Sequence, residues 1–101
     1  MVRATTPTHR FVLPFDYEAN VVKCLVTYSQ CDKIILEKTE ADVLHEGNTI
    51  IVHLTQEETR LFSVSAQVYV QLRVYTNTDD AMASQIFTLN VKNVLNDEVL
   101  K

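Results

Sequence analysis

Hydrophobic and polar residues alternate most regularly in residues 67–91, which supply the first predicted element of the fold. Four apolar residues occupy every second position at the start of this stretch: Val68, Val70, Leu72 and Val74. The positions between them carry larger polar side chains: Tyr69, Gln71, Arg73 and Tyr75. Because successive side chains of a strand point to opposite faces of its sheet, this run predicts a strand with one apolar and one polar face.

The same stretch continues into a turn and a second strand. Residues 77–80 are Asn, Thr, Asp and Asp, types that favour tight turns. Alternation then resumes in residues 86–91, where Phe87, Leu89 and Val91 share one face. Two alternating runs that are joined by a short polar loop predict a β-hairpin.

Shorter alternating runs in the first half of the chain predict further strands. Residues 9–15 contain Pro14, which has no amide proton to donate, so this strand ends there or lies at a sheet edge. Residues 21–29 place four side chains on one inward face: Val22, Cys24, Val26 and Tyr28. A third strand is expected in residues 33–38.

Residues 40–62 predict a second hairpin and a helical crossover. Gly47 marks the tip of that hairpin, because glycine adopts a positive φ at little cost. Thr55 and Glu58 have the spacing of a capping box, in which the threonine caps a helix and the glutamate reaches back. We therefore expect one or two helical turns in residues 56–62.

About seven short strands and one brief crossover predict an all-β fold, an immunoglobulin-like antiparallel β-sandwich. A small β-barrel would give a similar pattern and is the structural alternative. We divide the 101 residues into a flexible N-terminal arm (1–8), a sandwich domain (9–93) and a C-terminal tail (94–101). The tail either folds back on the domain or reaches a neighbouring molecule.

Charge and composition narrow the classes of partner. The formal net charge is −4, and the basic residues are not clustered as a nucleic-acid binder would require. No apolar run is long enough to cross a bilayer, so we expect no membrane insertion. Cys24 and Cys31 lie too far apart along the predicted strand for a disulfide, and free thiols agree with a cytoplasmic location.

Residues of catalytic and metal-binding types do not form a recognised arrangement. No zinc spacing is formed by the two cysteines or by the three histidines His9, His45 and His53. Asp79 and Asp80 lack the patterned oxygen ligands of an EF-hand loop. Asp32 beside Cys31 disfavours a reactive thiolate. The sequence predicts a protein that is not an enzyme and that has no cofactor, no metal and no small-molecule substrate.

The outward face of the predicted hairpin is the candidate functional site. In residues 33–38, alternation points Ile34 inward and Ile35 outward. A sandwich of this type places that strand beside the first strand of the hairpin, which predicts a protein interface of six residues: Ile35, Tyr69, Gln71, Arg73, Tyr75 and Ile86. Tyrosine and arginine are enriched at the centres of protein interfaces. The simpler alternative is that tyrosine and isoleucine suit strands on either face.

Three stretches of the chain resemble one group of known proteins. Residues 47–62, 68–74 and 83–86 contain a strand with a T-Q-E-E-T-x-x-F crossover, a V-x-V-Q-x-R-V strand and an A-S strand. The pattern resembles small structural proteins of tailed bacteriophages and prophages of low-GC Gram-positive bacteria. It is also similar to the β-sandwich N-terminal module of phage baseplate upper proteins. The first half of the chain shares only the strand pattern.

The resemblance implies a virion structural protein of the tail, baseplate or head-decoration type, with no catalytic residues. Its partners would be other copies of itself or other virion proteins. Its location would be the bacterial cytoplasm during assembly and afterwards the virion. Two alternatives stay open: a stand-alone immunoglobulin-like module that recognises a protein or carbohydrate, and a small enzyme.

Overall fold

The computed structural model describes residues 1–96 and 98–100, which contain eight strands and two short helices. In chain order the elements are β1 (Thr8–Val12), α1 (Tyr17–Asn20), β2 (Val21–Gln30), β3 (Lys33–Thr39), β4 (Leu44–Glu46), β5 (Thr49–His53), α2 (Gln56–Thr59), β6 (Val68–Thr76), β7 (Ala81–Ala83) and β8 (Phe87–Leu89). Neither helix in this part of the chain has the length and apolar character needed to span a membrane.

The strands form two antiparallel sheets. The first sheet has three strands in the order β1, β5, β4. The second sheet has the order β3, β2, β6, and both β7 and β8 pair with the far side of β6. The predicted all-β antiparallel sandwich is therefore confirmed. The expected neighbour of the hairpin is wrong, because β2 lies between β3 and β6.

The core lies between the inner faces of the two sheets. Val26 and Tyr28 from the second sheet, Ile50 and Val52 from the first, and Phe62 after α2 have almost no exposed surface. Burying a side chain of this size stabilises the fold by about 1.5–3 kcal/mol. The alternation that predicted β6 is confirmed, since its apolar residues are all buried in this core.

The crossover begins with the predicted capping box. The Thr55 hydroxyl accepts a hydrogen bond from the Glu58 amide at 3.1 Å, and a Glu58 carboxylate oxygen accepts one from the Thr55 amide at 2.9 Å. These bonds satisfy amide groups that the first turn of a helix leaves without partners. Lys38 of β3 forms an ion pair with the same carboxylate, so the crossover is tied to the edge of the second sheet.

The central hairpin is confirmed, but its second strand is interrupted. Two residues of β6, Gln71 and Leu72, lie between the pairs that β6 makes with β7 and with β8. The opposite strand has three residues there, 84–86, so it contains a β-bulge. Ser84 bridges the interruption: its amide donates to the Leu72 carbonyl at 2.8 Å, and its hydroxyl accepts from the Leu72 amide at 3.0 Å.

A second bulge, in β3, gives its side chains different faces from those predicted. Leu36 lies opposite Tyr28 and Ile34 lies opposite Ser29, so Ile35 is an extra residue in the ladder. One inserted residue reverses the alternation that follows it. Ile35 and Leu36 both pack against the core, whereas Ile34 is 61% exposed. The prediction that Ile34 points inward and Ile35 outward is therefore wrong.

The start of β2 shows the same effect. The register between β2 and β6 shifts between Val21 and Lys23. As a result, Val21 packs against the core and Val22 is exposed. The prediction that Val22 shares the inward face of β2 is wrong for the same reason as in β3.

The N-terminal arm lies along one end of the sandwich. The amino group of Met1 donates to the Asn90 carbonyl at 2.8 Å, and Val2 forms a parallel bridge with Lys92. The Thr5 amide donates to the Thr59 hydroxyl at 3.2 Å. Hydrogen bonds thus connect the arm to the sandwich. The division of the chain into arm, sandwich and tail stays a prediction.

Candidate functional site

The outer face of the second sheet carries the polar residues of the predicted hairpin. The β6 residues that alternate with the buried ones point to this face, and the register of β2 and β3 places further side chains beside them. We use the name "outer face" for eight of these residues: Leu25, Thr27, Ser29, Ile34, Tyr69, Gln71, Arg73 and Tyr75. The sequence correctly grouped the four β6 residues.

Cross-strand neighbours order the outer face into rows. Ser29 lies opposite both Ile34 and Tyr69, so one small residue separates two large exposed ones. Leu25 lies opposite Arg73 and can support the apolar part of that side chain. Since β6 has paired strands on both sides, its outward side chains stand on an interior strand of the sheet.

In the described part of the chain, one of the two tyrosines of the outer face has a hydrogen-bonded hydroxyl, and the other does not. Tyr75 is 40% exposed, and its hydroxyl donates to a carboxylate oxygen of Asp79 at 2.6 Å, which raises the pKa of Tyr75. Tyr69 is 44% exposed, and its hydroxyl has no hydrogen-bond partner within residues 1–96 and 98–100. One ring is therefore held in place while the other has an unused polar end.

The remaining predicted interface residues are placed differently. Ile35 belongs to the core side of β3, so it is not part of the outer face, and Ile34 takes its place there. Ile86 is exposed and lies in the bulge between β7 and β8. The assignment of this surface as a protein interface stays a prediction.

The sequence did not predict a second feature, an open groove between the two sheets. Its volume is about 700 Å³, and its walls are β1 with residues 13–15 on one side and β6, β7 and β8 on the other. Met82 lies opposite buried Val74, and Phe87 lies opposite buried Val70, so both belong to the inner face of the second sheet. They are nevertheless 39% and 40% exposed.

One wall of the groove is a strand with an unpaired edge. The Leu54 amide donates to the Pro7 carbonyl and the Leu13 amide to the Asn48 carbonyl, so alternate residues of β1 bond to β5. In this antiparallel register the backbone groups of Thr8, Arg10 and Val12 point away from β5. No other strand of the described residues pairs with that edge.

His9, which lines the groove, makes a polar contact with the buried core. Nδ1 of His9 lies 2.7 Å from the hydroxyl of Tyr28, which is fully buried. Burial and the positive N-terminal amino group lower the pKa of His9, and burial raises the pKa of Tyr28. Both rings are therefore neutral near pH 7, and His9 adds no charge to the groove.

At the α1 end of the core, a tyrosine contacts both a cysteine and a histidine. The Cys24 thiol lies 3.8 Å from the Tyr17 hydroxyl, and burial raises the pKa of the thiol. Burial, with the contact to Cys24, raises the pKa of Tyr17 to about 12. The ring of His45 stacks on Tyr17 with centroids 4.1 Å apart. The described residues contain no group of three or more His, Cys, Asp or Glu placed to hold a metal ion.

Comparison with protein-family models, with curated proteins and with solved structures finds no match for this chain. The outer face could be found from sequence because its signal is local alternation. The groove could not, because it depends on how many strands each sheet contains.

Proposed function

We propose that the protein is a non-enzymatic interaction module that associates with other copies of itself through the outer face. The observation that carries the proposal is the row of Tyr69, Arg73 and Tyr75 on the exposed side of the central strand β6. These residue types dominate the energetics of protein interfaces, since they combine a large contact area with polar ends.

The Tyr69, Arg73 and Tyr75 side chains should lose little conformational entropy when a partner binds. β6 pairs with β2 along one edge and with β7 and β8 along the other, so its side chains stand on an interior strand of the sheet. Tyrosine has two rotatable side-chain bonds, and the bond to Asp79 already restricts Tyr75. A partner therefore meets aromatic surface that loses little conformational entropy on binding. Arg73 has no ion-pair partner in the described part of the chain and is available for a carboxylate.

We further propose that the assembled form is a component of a tailed bacteriophage or prophage particle. This part of the proposal is supported by the resemblance of residues 47–62, 68–74 and 83–86 to small phage structural proteins. Such a component would accumulate in the bacterial cytoplasm and then enter the virion. Two copies that meet through the same face form a closed dimer. Such a dimer would be the repeated unit of a particle built from many identical subunits.

The test is the solution mass, measured by light scattering over a range of protein concentrations. We expect a multiple of the chain mass of 11.5 kDa for the natural sequence. The double substitution Tyr69→Asp with Tyr75→Asp should reduce the mass to one chain while the circular dichroism spectrum stays unchanged. A monomer at all concentrations, or an oligomer that survives the double substitution, would contradict assembly through the outer face.

A matched control separates the outer face from exposed apolar surface in general. Leu44 of β4 and Leu61 after α2 are both more than half exposed and lie outside the outer face. Leu44→Asp with Leu61→Asp introduces the same two charges, and this variant should keep the mass of the natural protein. If both double variants lose assembly, the added charge alone causes the loss, and the outer face is not specifically responsible.

A further inference from the structure

The two sheets of the sandwich have unequal widths on the side of the groove. The first sheet ends at β1, whereas the second sheet continues past β6 to β7 and β8. Met82 and Phe87 therefore point toward the first sheet without a strand of that sheet to cover them fully, and each keeps about two-fifths of its surface exposed. Phe11 of β1 reaches Phe87 from one side only, with ring centroids 6.1 Å apart.

The uncovered position beside β1 also has unpaired backbone. Thr8, Arg10 and Val12 direct their amide and carbonyl groups along the edge that borders the groove. An extended chain that lay against this edge would bond to those groups and add a strand to the sheet. Its alternate side chains would then point down onto Met82 and Phe87.

We infer that the first sheet accepts a fourth strand from a partner protein, an extended segment with alternating apolar side chains and one acidic residue, bound along β1 in the groove. The site is separate from the outer face, so it is independent of the proposed self-association. Its volume of about 700 Å³ lies within the range of roughly 300–1,000 Å³ that is typical of binding clefts.

The positive charge of Arg10 is the reason to expect an acidic residue in the partner segment. Arg10 is the single residue among those lining the groove that carries a permanent charge, and it has no ion-pair partner in the described part of the chain. His9 and Phe11 on either side of it point into the sandwich, so the Arg10 side chain lies on the opposite, solvated face of β1. A carboxylate at the facing position of the added strand would form a cross-strand pair with it.

The same charge disfavours a second copy of β1 as the occupant. Antiparallel pairing of two β1 strands about their centre would set two Arg10 side chains side by side. Like charges directly opposite each other destabilise a strand pair. A different segment with a carboxylate fits the edge better.

The experiment uses a synthetic peptide, acetyl-Thr-Val-Glu-Val-Thr-Val-amide, titrated into the full-length protein. We expect saturable binding by nuclear magnetic resonance, with slower amide exchange at Thr8, Arg10 and Val12. The amides of His9 and Phe11 already bond to β5, so their exchange should change little. A peptide N-methylated at the amides that face β1 should not bind, because it cannot form the ladder.

Charge exchange tests the acidic residue. Arg10→Glu should weaken binding of the glutamate peptide by about fivefold. The same peptide with lysine in place of glutamate should recover that loss on the Arg10→Glu protein. Met82→Glu should weaken both peptides, since it places a charge under the added strand. Lys33→Glu makes the same change of charge at an exposed residue that lies outside both the groove and the outer face. It is the matched control and should change neither affinity.

Four results would overturn the inference. They are no binding at millimolar peptide, equal binding of the N-methylated peptide, binding that maps to the outer face, and a homodimer through β1 that excludes the peptide. Laurate, an acyl carboxylate, is the remaining probe. If laurate saturates the groove and the peptide does not bind, the groove is a site for an amphiphile and not for a strand.

Discussion

The hydroxyl of Tyr28 lies 2.7 Å from Nδ1 of His9, so one hydrogen bond joins β2 of the second sheet to β1 of the first. Tyr28 also packs against Phe62, with ring centroids 6.1 Å apart. The bond therefore sits where the core meets the groove. Burial lowers the pKa of His9 below its ordinary value of 6.5, which makes stability depend on pH at this position.

We expect the free energy of unfolding to fall as the pH drops below about 6.5. The unfolded chain binds a proton at His9 near its ordinary pKa, whereas the folded protein resists it until a lower pH. The contribution is complete above pH 6.5 and is lost on acidification, by up to about 1.4 kcal/mol per pH unit. Urea unfolding of the natural protein and of His9→Gln between pH 7.5 and 5 measures it.

The variants separate the charge from the hydrogen bond. His9→Gln removes the titrating group, so its unfolding free energy should depend less on pH in this window. Tyr28→Phe keeps His9 buried and should retain the slope, while it loses about 1–3 kcal/mol at every pH because a buried polar partner is removed. An unchanged slope in His9→Gln would show that other groups cause the acid sensitivity.

The parts of the fold that sequence predicted have local causes. The alternation of residues 68–75 and the capping box of Thr55 and Glu58 each depend only on residues that are close together in the chain. Both features are present in the structure. The faces of Ile34 and Ile35 were wrong because the bulge between them depends on the register with β2. No residue type in that run marks an inserted residue.

The groove had no sequence signal for a different reason. Phe87 and Met82 occupy inner positions, and inner positions are normally covered. Whether they are covered depends on the number of strands in the opposite sheet, which is set by the topology of the whole chain. Pro14 was the nearest local indication, since it predicted that the first strand would end or lie at an edge.

The turn between β2 and β3 stores backbone strain. Gln30 pairs with Lys33, and the two residues between them, Cys31 and Asp32, have φ values of 54° and 61°. Two-residue hairpin loops with positive φ at both positions favour Asn-Gly. We expect Cys31→Asn with Asp32→Gly to stabilise the protein by about 1 kcal/mol, measured as a higher urea midpoint. Asp32→Ala should lower the midpoint; equal midpoints for all three proteins would contradict strain in this turn.

The Gln30 side chain connects the end of β2 to the loop after α2 through three hydrogen bonds. Its side-chain amide donates to the carbonyls of Ser63 and Ala66 at 2.6 and 2.8 Å, and its side-chain oxygen accepts from the Ser63 amide at 2.7 Å. Since Gln30 is buried, its loss leaves these loop groups without partners. We expect Gln30→Ala to cost about 3 kcal/mol in urea unfolding.

An exposed glutamine serves as the control for Gln30. Gln67 makes one side-chain bond, to Asn90 at 3.3 Å, on the surface. Gln67→Ala should change the unfolding free energy by less than about 0.5 kcal/mol. A similar loss in both variants would mean that the buried bonds of Gln30 are not the source of its effect.

The crossover helix depends on Glu58 in two separable ways. Its carboxylate completes the capping box with Thr55 and pairs with Lys38. Burial alone would raise the pKa of Glu58, but the hydrogen bond from Lys38 and the Thr55 amide lower it overall. Its contribution to stability is therefore complete above the unfolded pKa of 4.5 and is lost as the pH falls below that value.

Two substitutions distinguish the cap from the ion pair. Glu58→Gln keeps an oxygen for the Thr55 amide and loses the charge, so at pH 7 we expect a cost of at most about 1 kcal/mol. Glu58→Ala loses both and should cost about 1 kcal/mol more. As the pH falls through the lowered folded-state pKa of Glu58, Glu58→Gln should approach the natural protein in urea unfolding, because the glutamate then becomes neutral as well. Equal losses for the two variants at pH 7 would show that the ion pair with Lys38, and not the cap, supplies the stability.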